Sequence, residues 1–460
     1  MTYSRPPTVR ITSSTRLLLL SISLAGLTAC PDDKVNKLPD APVLIDAPPL
    51  IDAPPVCSTP TGAGTMHASI SAPETWTEAA SPHIIPFDIN IAATVTIEPC
   101  AVVLIAVGKT VTVQTNGALI AAGAPGRPVT FDSVVSGMAW SQIRALGGAI
   151  SLTHAIVRGG GDPLNTSVSY AGAIRLQTGT LHVDDVEIAD SKSQGIYINS
   201  ATAGFDATSQ NLRIHGSAGF PVHTYANVIG TVPSGVYTGN VRDAIGIAGS
   251  GGAVVTNQTL HERGVPYHVG SGMDGGRMDI NSQVAGVVAV LTIEPGVHMQ
   301  FPPGGSLNVG VGGGAAAAQG AMIAIGTVAN KIVFTSDQGA ASAAGDWFGI
   351  GFGGTVDPQS VMQHTIVEFA GGSQITGSNS CPYPGRVGTN YAAIRIYSPA
   401  ATQFITDTEI PNSGRDGIDR GWRADLQPDF LPTNTISVPG CKETTPAMAN
   451  NGCPATPPCP

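Results

Sequence analysis

The chain has 460 residues, enough for two or three ordinary domains or one long repetitive one, and enough to bury a large core. Its 57 glycines, 5% aromatics and 12% charged residues, with an apolar fraction drawn mainly from Ala, Val, Ile and Leu, describe a β-rich chain with many turns. A formal net charge of −10 argues against a nucleic-acid partner, whose phosphates such a surface repels.

Residues 1–29 read as a targeting signal and are set aside from the fold. Arg5, Arg10 and Arg16 give a positive start, LLLLSISLAG at 17–26 is a short apolar core, and LTAC closes the segment at Cys30. That ending resembles the bacterial lipobox, and the resemblance implies that Cys30 becomes the lipidated N-terminus of an exported protein held at the outer membrane or cell surface of a bacterium. Acyl chains at about 0.8 kcal/mol per buried methylene hold such a protein firmly. No other apolar stretch reaches the length of a membrane span. Removal of the three arginines, with no acid among residues 1–29, takes the charge from −10 to −13.

Residues 30–57 follow as a linker, with DAPVLIDAPPLIDAPPVC repeating a six-residue phrase from Asp40, Asp46 and Asp52. Proline in every phrase keeps the segment extended and suits it to be a semi-rigid spacer.

The body contains a long duplication. TWTEAASPHII at Thr75 matches TLHERGVPYHV at Thr259, TVTIEPC at Thr94 matches VLTIEPG at Val290, and GALIAAGAPGRPVTFDS at Gly117 matches GAMIAIGTVANKIVFTS at Gly320. Trp140 then meets Trp347, His154 meets His364, and YAGAIRL at Tyr170 meets YAAIRIY at Tyr391. Insertions in the second copy widen the offset from 184 to about 222 residues. Within a copy, V-x-I and I-x-V phrases alternate with Gly, Asn, Asp or Pro every eight to twelve residues, which predicts short strands separated by turns and little helix.

Tandem β-sandwiches and a solenoid of stacked coils both fit that pattern. The order TIEPG, I-x-A-x-G, I-x-F-T-S, D-W-x-G-I resembles the right-handed parallel β-helix repeats of bacterial surface lipoproteins of the pectin-lyase-like superfamily. The resemblance covers residues 75–436 and implies an all-β solenoid of two tandem copies, 58–258 with an N-terminal cap and 259–436, before a Cys- and Pro-rich tail at 437–460. Coils of about 24 residues stacked at about 4.8 Å would give about fifteen turns.

The superfamily includes polysaccharide lyases and glycoside hydrolases, so the resemblance requires a search for carboxylates. Its hydrolases carry N-T-D, D-D, G-H-G and R-I-K. This chain has NTS at Asn165, DD at Asp184 and Asp185, IHG ending at Gly216 and RIY at Arg395, so one station of four is intact. An inverting hydrolase needs an acid and a base on separate carboxyls, and the Asp of N-T-D is missing. Asp184 and Asp185 also suit a coil corner, where Asp caps turn amides. A lyase would need a base and a uronate-neutralising cation, and Arg175 with Asp185 and Glu187, or Arg395 with Asp407 and Glu409, are the nearest sets. His154 and His364 lack a second ligand at metal spacing and read as hydrogen-bonded structural residues. Trp140 and Trp347 fit a packed corner and, alternatively, a platform for stacking sugars. GSGMDG at Gly270 precedes no helix, so it fails as a dinucleotide loop. No metal or cofactor is expected.

Six cysteines remain beyond Cys30. An even number in an exported chain without a C-x-x-C pair predicts disulfides, and the sequence allows fifteen pairings. Cys57 with Cys100, Cys381 with Cys441, and Cys453 with Cys459 are preferred, because each ties an end or an inserted loop. The expectation for function is a lipid-anchored, non-catalytic surface β-helix offering a long face for adhesion or polysaccharide binding. A polysaccharide lyase or glycoside hydrolase, and a purely structural envelope protein, are the alternatives.

Overall fold

The computed structural model describes residues 56–162, 171–249, 253–270, 275–310, 319–353, 355–372, 392–397, 400–420 and 428–444. The chain divides into two units, 1–53 and 54–460, and all described residues belong to the second. The signal, Cys30, nearly all of the linker, and Cys381, Cys453 and Cys459 lie outside the described residues.

The alternating phrases become strands that bury every second side chain. Thr94–Ile97, Val102–Ile105, Ala118–Ala122 and Val129–Ser133 each follow this rule, with Val95, Ile97, Val103 and Ala121 fully buried. β-Branched residues suit the pleat, and small ones let stacked coils approach. Each strand's edge groups are satisfied by the coil above and the coil below, and every pairing between named strands is parallel. The chain therefore forms an all-β parallel solenoid, and sandwiches of antiparallel strands are excluded.

One ladder of thirteen strands can be followed from Ile89–Ile91 to Thr435–Ile436. Paired positions lie 22 residues apart between Asn90 and Thr112 and 35 apart between Gln300 and Thr335. The first coils are thus shorter than the expected length of about 24 residues, and most of the later ones are longer.

The two copies do not stack face on face. His83–Ile85 and Tyr267–Val269 are counterparts in sequence, yet Tyr267–Val269 pairs with Ile245–Ile247, which continues the ladder carrying Thr112, Arg144 and Arg175. The counterpart of Arg175, Arg395, stands in a separate seven-stranded sheet. The second copy is shifted by one strand around the coil, so matched residues do not line one continuous face.

Cys57 and Cys100 form a disulfide across a sequence separation of 43, with Cα atoms 5.2 Å apart. Cys441 is also disulfide-bonded.

Candidate functional site

The corners of the first copy make the candidate site. The strand Gln142–Arg158 bends twice, and its middle and last segments stack on Gly172–Ala189 with Thr153 opposite Asp184 and Ala155 opposite Val186. His154 therefore sits beside Asp185 at the second bend. One coil on, Asp184 faces Gln210 and Val186 faces Leu212, which brings Asn211 beside Asp185. All three hold a left-handed backbone, with φ of 43° at His154, 55° at Asp185 and 53° at Asn211. His, Asp and Asn tolerate that region better than most residues, so the bend selects these residue types. The coil before needs Gly123, where a Cβ would come within 2.1 Å of the His154 carbonyl oxygen.

The second copy repeats the corner. Gly326 lies against the His364 carbonyl, and His364 (φ 49°) neighbours Asp407 (φ 48°). The recurrence of these histidines and aspartates has a conformational cause, independent of any chemistry they perform.

In the first copy the corner opens into a groove of about 340 Å³, lined among others by Gly126, His154, Asp185, Glu187, Asn211 and Arg213. His154 Nδ1 lies 2.6 Å from Asp185 Oδ2, and Asp185 is the more exposed of the two. Glu187 Oε1 lies 3.3 Å from His215 Nε2 and 3.8 Å from Arg158 Nη2. Arg213 faces Glu187 across the coil step. Asp184 accepts a hydrogen bond from Gln210 Nε2 at 3.2 Å on the preceding segment. The groove thus offers donors and acceptors of both signs at a solvent-facing bend.

The structure brings Asp185 and Glu187 together and separates Arg175 from them. Arg175 pairs with Arg144 and Tyr197 on the first segment of its strand, two bends before Glu187. The second set is divided in the same way: Arg395 Nε lies 3.4 Å from Asp419 Oδ2, Asp407 accepts from Gln363 Nε2 at 3.1 Å, and Glu409 pairs with Lys331. Neither Arg-and-two-carboxylate set assembles as a lyase-like cluster.

Both tryptophans are pegs of the core, which removes them as sugar platforms. Trp140 and Trp347 are 0% exposed, and each indole N–H donates to the backbone carbonyl of the matched residue in its copy, Arg158 at 2.7 Å and Glu368 at 2.8 Å. Trp347 also stacks on Phe301 at 4.3 Å. An indole closed on all sides has no face left for a pyranose.

Asn211 and Arg213 line the groove, and Arg158 contacts its Glu187; none of the three was singled out from the sequence, and His215, the other partner of Glu187, entered only as part of IHG. Stacking QNLRIHG under DDVEIAD would have placed Asn211 under Asp185 and Arg213 under Glu187. Glu294, from the second TIEP phrase, is an architectural residue: its carboxylate takes bonds from His261 Nδ1 at 2.8 Å and the Glu262 amide at 2.9 Å. Burial alone would raise its pKa, but those bonds outweigh it and hold the carboxyl below the usual range.

Among the described residues, no group of three or more His, Cys, Asp or Glu is placed to hold a metal ion, and no helix is long and apolar enough to cross a membrane. Compared with protein families, curated proteins and solved structures, the chain matches none.

Proposed function

We propose that this is an exported, lipid-anchored β-helix protein of a bacterial surface, of the right-handed pectin-lyase-like kind, which binds polysaccharide at its first-copy corner groove without cleaving it. The observation that carries the reading is the matching of charges inside the groove. Asp185 is engaged by His154, and Glu187 stands between His215 and Arg158. A carboxyl pair set up for hydrolysis keeps one acid protonated and leaves the other free to activate water, whereas paired carboxylates act as fixed acceptors for sugar hydroxyls. Arg213 and Asn211 supply donors beside them. The one-strand offset between copies confines this reading to the first copy, in place of one long face.

A glycan array probed with the full-length protein in detergent tests the proposal. Wild type should retain a defined set of neutral or acidic glycans, and Arg213→Ala and Glu187→Gln should each weaken that binding at least tenfold. Unchanged binding in both variants would remove the groove from the account.

The enzymatic alternative draws on the 2.6 Å His154–Asp185 contact, which has the geometry of an oriented base. Release of reducing or unsaturated ends from the retained glycans, abolished by Glu187→Gln, would establish it in place of simple binding. The anchor is tested by metabolic labelling with a palmitate analogue: Cys30→Ala should abolish the label, and a labelled variant would sink the lipoprotein reading.

A further inference from the structure

Arg144 and Arg175 are partners in adjacent parallel strands, directly opposite in register, so their side chains leave the same face about 4.8 Å apart. Both are half-buried. Arg144 Nη2 donates to Thr112 Oγ1 at 3.2 Å, and the Arg175 guanidinium lies over the Tyr197 ring, 5.8 Å from its centroid. Neither contact supplies negative charge. The Nε atoms of both arginines are buried and without a hydrogen-bond partner.

Arg127, Arg158, Arg277, Lys331, Arg395 and Arg420 are each paired with a carboxylate. Arg144 and Arg175, like Arg213, Arg242 and Arg263, form no ion pair among the described residues, and these two stand directly opposite one another in adjacent strands. Two guanidinium groups side by side repel one another, and burial adds the cost of lost hydration. Burial is the main cause that pulls the Arg175 pKa below its ordinary value; Tyr197 partly offsets it, and Arg144 adds a smaller lowering.

The second copy serves as an internal comparison. Gly351 occupies the Arg144 position, and Asp419 replaces Tyr197 and lies 3.4 Å from Arg395. One copy thus has a single arginine neutralised by a carboxylate, and the other has two arginines with none. A merely structural arginine is served by the Arg395–Asp419 arrangement, so the Arg144–Arg175 pair requires a different explanation.

We propose that Arg144 and Arg175 form a binding site for a doubly charged tetrahedral oxyanion, sulfate or phosphate, free or carried as an ester. Two planar forks with unused N–H donors match the oxygens of such a group, and two positive charges match its two negative ones. Thr112 and Tyr197 flank the pair, one with a hydroxyl and the other with an aromatic face. The inference stands apart from the glycan groove, which lies two bends away along the same strands.

The test uses the full-length protein in detergent and thermal unfolding in sodium chloride, sulfate or phosphate at matched ionic strength. Sulfate stabilises proteins generally, so the readout is the difference between wild type and variants. Wild type should gain several degrees more from sulfate and phosphate than Arg144→Gln or Arg175→Gln, while Lys192→Gln, an exposed cation elsewhere, should behave as wild type. In chloride at low ionic strength Arg144→Gln should unfold higher than wild type, because the repulsion is gone. Calorimetric titration with inorganic sulfate should show at least a tenfold loss of affinity in both glutamine variants and a smaller loss in Arg175→Lys. Tighter binding of glucose 6-sulfate than of inorganic sulfate would mark an esterified ligand, and the reverse order a free ion. Equal sulfate responses in wild type and both glutamine variants would overturn the proposal. So would failure of both variants to fold, since the arginines would then be structural.

Discussion

Cys57 is joined to Cys100, and Cys100 holds the left-handed backbone, φ 67°, that Gly296 holds at φ 88° in the matched turn of the second copy. The turn after TIEP thus demands a conformation natural to glycine, and the first copy accepts a strained residue there in exchange for a staple. Closing a loop of this size restricts the unfolded chain by roughly 4 kcal/mol on the entropic account. Cys57→Ser should lose most of that. Cys100→Gly should lose the staple but relax the turn, and Cys100→Ala should fall a further 1 kcal/mol or so below it. Guanidinium midpoints followed by tryptophan fluorescence decide this, and equal midpoints for the Gly and Ala variants would show that the turn carries no strain.

Trp140→Phe and Trp347→Phe should each lower stability by about 1–3 kcal/mol, by opening a gap and leaving the Arg158 or Glu368 carbonyl without its indole donor. Glycan-array profiles should not change. A binding loss in a variant whose melting temperature matches wild type would contradict the burial of these rings.

Stability should fall as pH drops from 7 to 5. His83 Nε2 donates to the Thr77 carbonyl at 2.9 Å, which leaves His83 Nδ1 to accept from His67 Nε2 at 2.9 Å, and both rings pack on Trp76. Burial lowers the pKa of each, the neighbouring His83 lowers that of His67 further, and Glu74 pulls it partly back up. Groups depressed below the unfolded value near 6.5 contribute stability above that pH and lose it as pH falls through their folded values. His83→Gln should flatten the decline in urea midpoint, and an equally steep decline in that variant would rule out the histidine pair as its source.

The opposite slope is expected from Glu443. Burial pushes its carboxyl up to about 7, against the pull of Arg420, whose Nε lies 2.8 Å from Oε1, and Asp429 adds to the rise. A carboxyl raised in the fold contributes stability below its unfolded value and loses it as pH rises through about 7. Glu443→Gln should therefore be more stable than wild type at pH 8 and gain nothing at pH 5. A gain of equal size at both would show that the carboxyl titrates normally.

Much of this was readable before any coordinates. Val95, Ile97, Val103 and Leu119 alternate with polar or outward positions, so strands and their buried faces followed from period two. Cys100 at the place of Gly296 pointed to the Cys57 staple. The His154–Asp185 contact was not readable, because it depends on which residues stack, and paired positions here lie from 18 to 44 residues apart. The one-strand offset was hidden for a related reason: it arises between Ile245–Ile247 and Tyr267–Val269, across the boundary of the two copies. The pairing of Arg144 with Arg175 needed both the bends and the register.

The corner of the first copy separates architecture from chemistry in a single pair of residues. If φ of 55° selects Asp185, Asp185→Asn keeps a residue at home in that region and should cost under about 1 kcal/mol, whereas Asp185→Ala adds left-handed strain to the lost bond with His154 and should cost about 1–2 kcal/mol. His154→Asn and His154→Ala should divide in the same way, and so should His364 and Asp407 in the second copy, where φ is 49° and 48°. An oriented base would behave differently, since Asp185→Asn would remove the charge that holds His154 and abolish any turnover with little loss of stability. Urea midpoints for the four substitutions in the first copy, read beside glycan retention and end-group release, distinguish the outcomes. An asparagine variant as unstable as the alanine one would mean that the contact, and not the bend, selects these residues.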